Sequence, residues 1–168
     1  MNTSQFLIVH HEAPPQITDL PRFGIVNEYH KSKDFPKSKR GYWCGYHYFI
    51  EKSGQIWQAR NDDEIGAHTI GYNDKSIGIC LAGNFNLEKP SYAQINALQG
   101  LLQEKVDVYH ISPENIVPHR KLAVTGTLCY GSNLTNDWAR SVLKDVQKIK
   151  ILRALVGAYQ KLIMLLRT

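Results

Sequence analysis

The sequence predicts an α/β domain: a central mixed β-sheet flanked by helices, with a C-terminal amphipathic helix. Three observations carry this expectation. Short apolar runs of strand length occur at Phe6 to Val9, Ser76 to Ala82 and Ile116 to Val117. The stretch after Ser91 repeats apolar residues at three- and four-residue intervals, the helical period. Strand-like and helix-like stretches alternate along the chain, the order that builds layered α/β structures.

Phe6 to Val9 reads as a central strand, because an unbroken apolar run suits a strand covered on both faces. His10 then sits where that strand leaves the sheet. Pro14 and Pro15 break the chain soon after. A helix follows around Leu20 to His30, with Phe23, Val26 and Asn27 at helical spacing, and Lys31 to Arg40 is a basic loop containing Pro36. Tyr46 to Glu51 and Gln55 to Ala59 form a hairpin joined by Lys52-Ser53-Gly54. Ser76 to Ala82 is a second buried strand, ended by Gly83-Asn84. Ser91 caps a long helix to about Tyr109, with Ile95, Leu98, Leu101, Leu102 and Val106 on its apolar face. Ile116 and Val117 form a short strand that delivers His119. A last domain helix runs from Thr135 to about Lys148, which divides the chain into a domain of residues 1–147 and a tail of residues 148–168.

The tail places Leu152, Leu155, Val156, Tyr159, Leu162, Ile163 and Leu166 on one helical face and Lys150, Arg153, Lys161 and Arg167 mostly off it, with no acidic residue after Asp145. This is the pattern of a basic helix that lies in a membrane interface. It is short for a membrane span and interrupted by charge. Three partners fit the pattern: an anionic membrane, a second subunit, or the chain's own domain.

With 168 residues the chain suffices for one domain with a real core and is too short for two comfortable ones. Hydrophobic residues at 43% and charged residues at 21% are ordinary globular usage and argue against disorder. A net charge of +5 suits a polyanionic neighbour such as a cell wall or anionic membrane, or serves solubility alone. No aromatic-basic interleaving appears, so no nucleic-acid partner is expected. The cysteines Cys44, Cys80 and Cys129 are too few and odd in number for a disulfide framework, and Cys80 lies in an apolar run as a core thiol. Met1 to Gln5 lacks the basic and apolar segments of a secretory signal. The expectation is synthesis in the cytoplasm and action after release.

The residues able to do chemistry are spread along the chain. His10 and His119 each follow a short β-like run, and Cys129 lies ten residues beyond His119 across a stretch containing Gly126. Two imidazoles and one thiol can hold a zinc ion with the fourth position open, as hydrolytic zinc requires. His11 follows His10 directly, and neighbours on a strand point to opposite faces, so only one of the two can serve. The same donors suit blue copper, but its usual axial methionine is missing, since the only methionines are Met1 and Met164.

Five segments occur in a telling order: Ile8-Val9-His10-His11, Gly45 to Ile50, Gly66 to Asn73, Ser76 to Gly83, and Pro118-His119-Arg120. Together they resemble the zinc N-acetylmuramoyl-L-alanine amidases of the bacteriophage-lysozyme type, related to peptidoglycan recognition proteins. The likeness covers roughly residues 6 to 145. It implies that His10, His119 and Cys129 bind one zinc ion and that Tyr46 is catalytic. It matches Thr127 to a position held by lysine or threonine, from which a hydroxyl can donate to an oxyanion. It implies cleavage of the amide between N-acetylmuramic acid and L-alanine in bacterial peptidoglycan by zinc-activated water, as in an endolysin of phage or prophage. His68 would line the cleft and contact substrate, with Asn73, Arg60 and Trp43 as further contact candidates. Lys121 to Thr125 replaces an acidic-then-proline pattern common in the family, and Tyr130 stands where proline is common. The alternative from another class is a recognition module that holds peptidoglycan without cutting it. Loss of the cysteine would be its sign, and Cys129 is present.

Overall fold

β1 (Phe6–His11) is the strand around which the domain is built. In the computed structural model, which describes residues 2–165, it lies inside a five-stranded sheet of order β3-β2-β4-β1-β5. The other strands are β2 (Tyr48–Ile50), β3 (Ile56–Gln58), β4 (Ser76–Leu81) and β5 (Ile116–Pro118). β1 pairs in parallel with β4 and β5, β2 pairs in parallel with β4, and β3 closes one edge antiparallel to β2. This is the expected mixed sheet. Leu7, Ile8 and Val9 are fully buried, as a strand covered on both faces must be.

The side chains of the sheet alternate between two cores. Leu7, Val9, Ile77, Ile79 and Leu81 pack on one face against Leu98, Leu101 and Leu102 of α2 (Tyr92–Tyr109) and against Ala139 and Leu143 of α4 (Trp138–Leu165). On the other face, Phe49 and Cys80 pack against Phe23 and Val26 of α1 (Phe23–Lys31). Cys80 is fully buried, as expected of a core thiol.

The helices begin where their sequences supply caps. Ser91 and Gln94 form a reciprocal capping box at the start of α2. The Gln94 amide also donates to the carbonyls of Ala82 and Ile50, which ties α2 to the ends of β4 and β2. α1 begins at Phe23, later than the expected start around Leu20, because Pro21 disfavours helical geometry at the residue before it. Arg22 offers no side-chain cap. Instead the buried carboxylate of Glu51 accepts the Arg22 and Phe23 backbone N–H groups at 2.9 and 2.8 Å.

The last helix also differs from expectation. It starts at Trp138 rather than Thr135 and continues through residue 148 without a break. No glycine or proline interrupts residues 138–156, so the change in composition at 148 is not a change in backbone. Leu166 and Arg167 lie outside the described residues, as do the side chains of Lys148, Lys150 and Arg153.

Glu51→Ala removes a charged acceptor from two amides at a buried helix start. We expect it to lower stability by about 2 kcal/mol in urea unfolding. A loss under roughly 0.5 kcal/mol would show that the carboxylate is not what anchors α1.

Candidate metal centre

Strand register builds the site. β1 pairs with β5 as far as Val9 opposite Pro118. The residue after each of these two is a histidine, so His10 and His119 emerge side by side with ring centroids 4.5 Å apart. His10 remains within β1, opposite Cys80 of β4, rather than at the point where the strand leaves the sheet. It therefore shares the α1 face with Cys80. His11 points the other way, where its Nδ1 accepts the Phe85 N–H at 3.0 Å. His119 opens the one-turn helix α3 (His119–Leu122).

Cys129 arrives on the following loop, which Arg120 holds. The Arg120 backbone N–H donates to the Cys129 carbonyl at 2.7 Å, and its guanidinium donates to the carbonyls of Gly131 and Leu134 and to the Asn136 side chain. Tyr130, where the family commonly has proline, is fully buried and donates its hydroxyl to the Thr135 carbonyl. The Cys129 Sγ lies 3.7 Å from His10 Nδ1 and accepts the His11 N–H at 3.4 Å. One donor atom each from His10, His119 and Cys129 fall within 4.8 Å of one another.

This donor set fits zinc. Burial lowers the pKa of both His10 and His119, and the other histidines add to this for His10, so both rings are neutral with a lone pair free to bind. Burial pushes the Cys129 thiol up to about 12, a protonated state that a divalent cation would reverse by binding the thiolate.

A second layer orients His10. With Nδ1 facing Cys129, its Nε2 carries the proton and meets His68 Nδ1 at 3.1 Å. His68 then presents its Nε2 proton to Ser76 Oγ at 3.4 Å, and Ser76 donates onward to the Tyr72 carbonyl at 2.6 Å. Space for this ring is reserved by two glycines: a Cβ at Gly66 or Gly78 would come within 2.5 Å of it. Asn73 Oδ1 accepts the N–H groups of His68 and Thr69, both at 2.8 Å. His47 stands behind, accepting the Gly78 N–H at Nδ1 and meeting the Glu64 carbonyl with Nε2.

A cleft of about 410 Å³ opens beside the centre, walled by Phe35, His68, Ile70, Asn73, His119 and Val124 among others. On the other side, a cavity of about 390 Å³ is lined by Glu12, Arg22, Val26, Tyr29, His30 and Tyr46. Tyr46 is half-buried with its ring centroid 5.0 Å from that of His10, and burial raises its phenol well above the usual range.

The expected site residues do not all converge. His10, His119, Cys129, Tyr46 and His68 come together, and Asn73 joins them as a wall of the cleft and a support of the His68 loop. Thr127 sits in the ligand loop, where its hydroxyl accepts the Cys129 N–H at 3.2 Å. Arg60 does not serve as expected: it is 2% exposed, and its guanidinium donates to the carbonyls of Cys44, Pro36 and Ile65, which fixes loops. Trp43 is also away from the cleft walls, with the ammonium groups of Lys31 and Lys37 each 4.6 Å from its ring centroid. Glu12 was missed. One of its oxygens takes the Arg22 guanidinium and the other is buried with no hydrogen-bond partner. Its position two residues after His10, hence on the same face, was the available signal.

Comparison with known proteins places the chain in a family. The family model described as N-acetylmuramoyl-L-alanine amidase matches residues 1–132. A peptidoglycan recognition protein from Bombyx mori is 37% identical over 113 residues, covering 65% of this chain and 57% of that protein. An endolysin from Enterobacteria phage K11 is 32% identical over 114 residues, covering 64% of this chain and 69% of that protein. The chain spans about half the length of the first curated relatives it matches. Among solved structures, N-acetylmuramoyl-L-alanine amidase LysC from Clostridium intestinale URNW aligns with a TM-score of 0.70 at 25% identity, covering 85% of this chain and 87% of that one.

His68→Ala removes the acceptor that fixes His10. It is expected to weaken zinc binding roughly 10- to 100-fold in competition against a chromophoric chelator, with Cys129→Ser weakening it further. Unchanged affinity in either variant would remove that residue from the centre.

Proposed function

The chain belongs to the N-acetylmuramoyl-L-alanine amidase family, and from that premise we propose that it is a zinc-dependent peptidoglycan hydrolase. It cuts the amide between N-acetylmuramic acid and L-alanine and works as an endolysin of phage or prophage, made in the cytoplasm and acting on the wall after release. The observation that carries this reading is the convergence of His10, His119 and Cys129 from a strand, a helix start and a loop to within 4.8 Å.

His10, His119 and Cys129 would hold the zinc ion, which when bound would supply Lewis acidity and a more acidic water. The remaining work falls to the chain's own groups. The Tyr46 phenol stays protonated because it is buried, so it can donate a hydrogen bond to the carbonyl oxygen as negative charge develops there. Thr127 keeps its hydroxyl proton after accepting the Cys129 N–H, and offers a second, uncharged donor. His68 holds His10 in one tautomer and presents the rest of its ring to the cleft. Phe35, Ile70 and Val124 give the cleft apolar walls on which an apolar part of a substrate can rest.

Binding of peptidoglycan without cleavage is the second reading, favoured by relatives named as recognition proteins. The intact thiol donor favours hydrolysis.

Purified zinc-loaded protein should release free stem peptide from muropeptides, as read by mass analysis. Activity should vanish on complete chelation and return with zinc. Cleavage that survives full metal removal would overturn the zinc mechanism, and binding without release would establish the recognition module. Tyr46→Phe should keep its zinc and lose roughly 100- to 1,000-fold in kcat. An unchanged rate would remove Tyr46 from the chemistry.

A further inference from the structure

We propose that the distal part of α4, residues 151–165, is an arm that docks on the surface of an anionic phospholipid bilayer. The first observation is exposure. α4 begins as a core element, with Ala139, Val142 and Leu143 buried. Farther along the same helix, Ile151, Leu152, Leu155, Val156, Tyr159 and Leu162 are each more than half exposed. At 3.6 residues per turn these six gather on one side and Lys161 falls opposite, while the exposed Met164 and Leu165 lie off this stripe near the end of the arm. The arm therefore carries an apolar stripe that its own domain does not cover.

The second observation is charge. The chain has 20 Lys and Arg against 15 Asp and Glu. Lys148, Lys150, Arg153, Lys161 and Arg167 make up the whole excess of five, and no carboxylate side chain follows Asp145. Residues 1–147 are thus balanced, and the entire net charge of the chain belongs to residues 148–168.

Together these observations select the partner. Two copies of the arm packed along their stripes would bring like charges together with no carboxylate on the arm to pair them, whereas helix pairs draw specificity from opposite flanking charges. An anionic bilayer meets both features, taking the apolar stripe into the acyl boundary and the basic residues at the headgroups. Among the described residues no helix is long and apolar enough to cross a membrane, so the arm lies in the interface.

The test uses the full chain and does not depend on its activity. Co-sedimentation with vesicles of phosphatidylglycerol mixed with phosphatidylcholine should be at least roughly tenfold stronger than with phosphatidylcholine alone, and should weaken with salt. The double variant Leu155→Gln, Leu162→Gln should lose roughly tenfold or more of that binding with its urea midpoint unchanged. Equal binding to the two vesicle types would overturn the proposal, as would a double variant that binds like the parent. A dimer in sedimentation that the double variant dissolves, without vesicle binding, would assign the stripe to a second copy instead.

Discussion

The candidate centre depends on the pairing of β1 with its two parallel neighbours. Alternation along β1 sends Leu7 and Val9 into the α2 and α4 core and leaves His10 on the α1 face beside Cys80. Pairing of Val9 with Pro118 brings His119 next to His10. A slip of one residue would exchange His10 for His11 and place the wrong ring beside His119. The slip is prevented by burial, because it would also turn Leu7 and Val9 out of their core. The apolar residues that stabilise the sheet are thus the ones that aim the donors.

Much of this was legible in the sequence because it rests on local periodicity. The mixed sheet, the apolar face of α2, the core thiol Cys80 and the rule that only one of His10 and His11 can serve all follow from period-two or period-three-and-four patterns. What was not legible came from distant side chains meeting backbone groups. Glu51 caps a helix that begins 28 residues earlier in the chain, and nothing local to α1 announces it. Arg60 resembles a substrate contact in sequence, yet its partners are three carbonyls from separate segments. The tail resembles a separate unit because its composition changes at 148, while helical propensity carries the backbone straight through.

The histidines divide the labour by position. His47 and His11 are tied to backbone amides and support the fold. His68 lies between, with one nitrogen toward His10 and the other toward Ser76. Its place depends on the missing side chains of Gly66 and Gly78, so two glycines that donate nothing to a metal help to set the orientation of a metal donor.

Arg120 clamps the Cys129 loop at its base, through one backbone bond to Cys129 and three side-chain bonds beyond it. The residues between, including Val124 and Leu128, are largely exposed, and Ala123, Val124 and Thr125 form one wall of the cleft. That arrangement separates two duties within a single short segment. The clamped base, with Thr127 accepting the Cys129 N–H, keeps the thiol in place, and Val124 and Thr125 face the cleft. The departure from the common family pattern at residues 121–125 is the kind of change this separation tolerates. Val124 and Thr125 are therefore the positions where a change of side chain reshapes the cleft wall while Arg120 and Thr127 still hold the thiol.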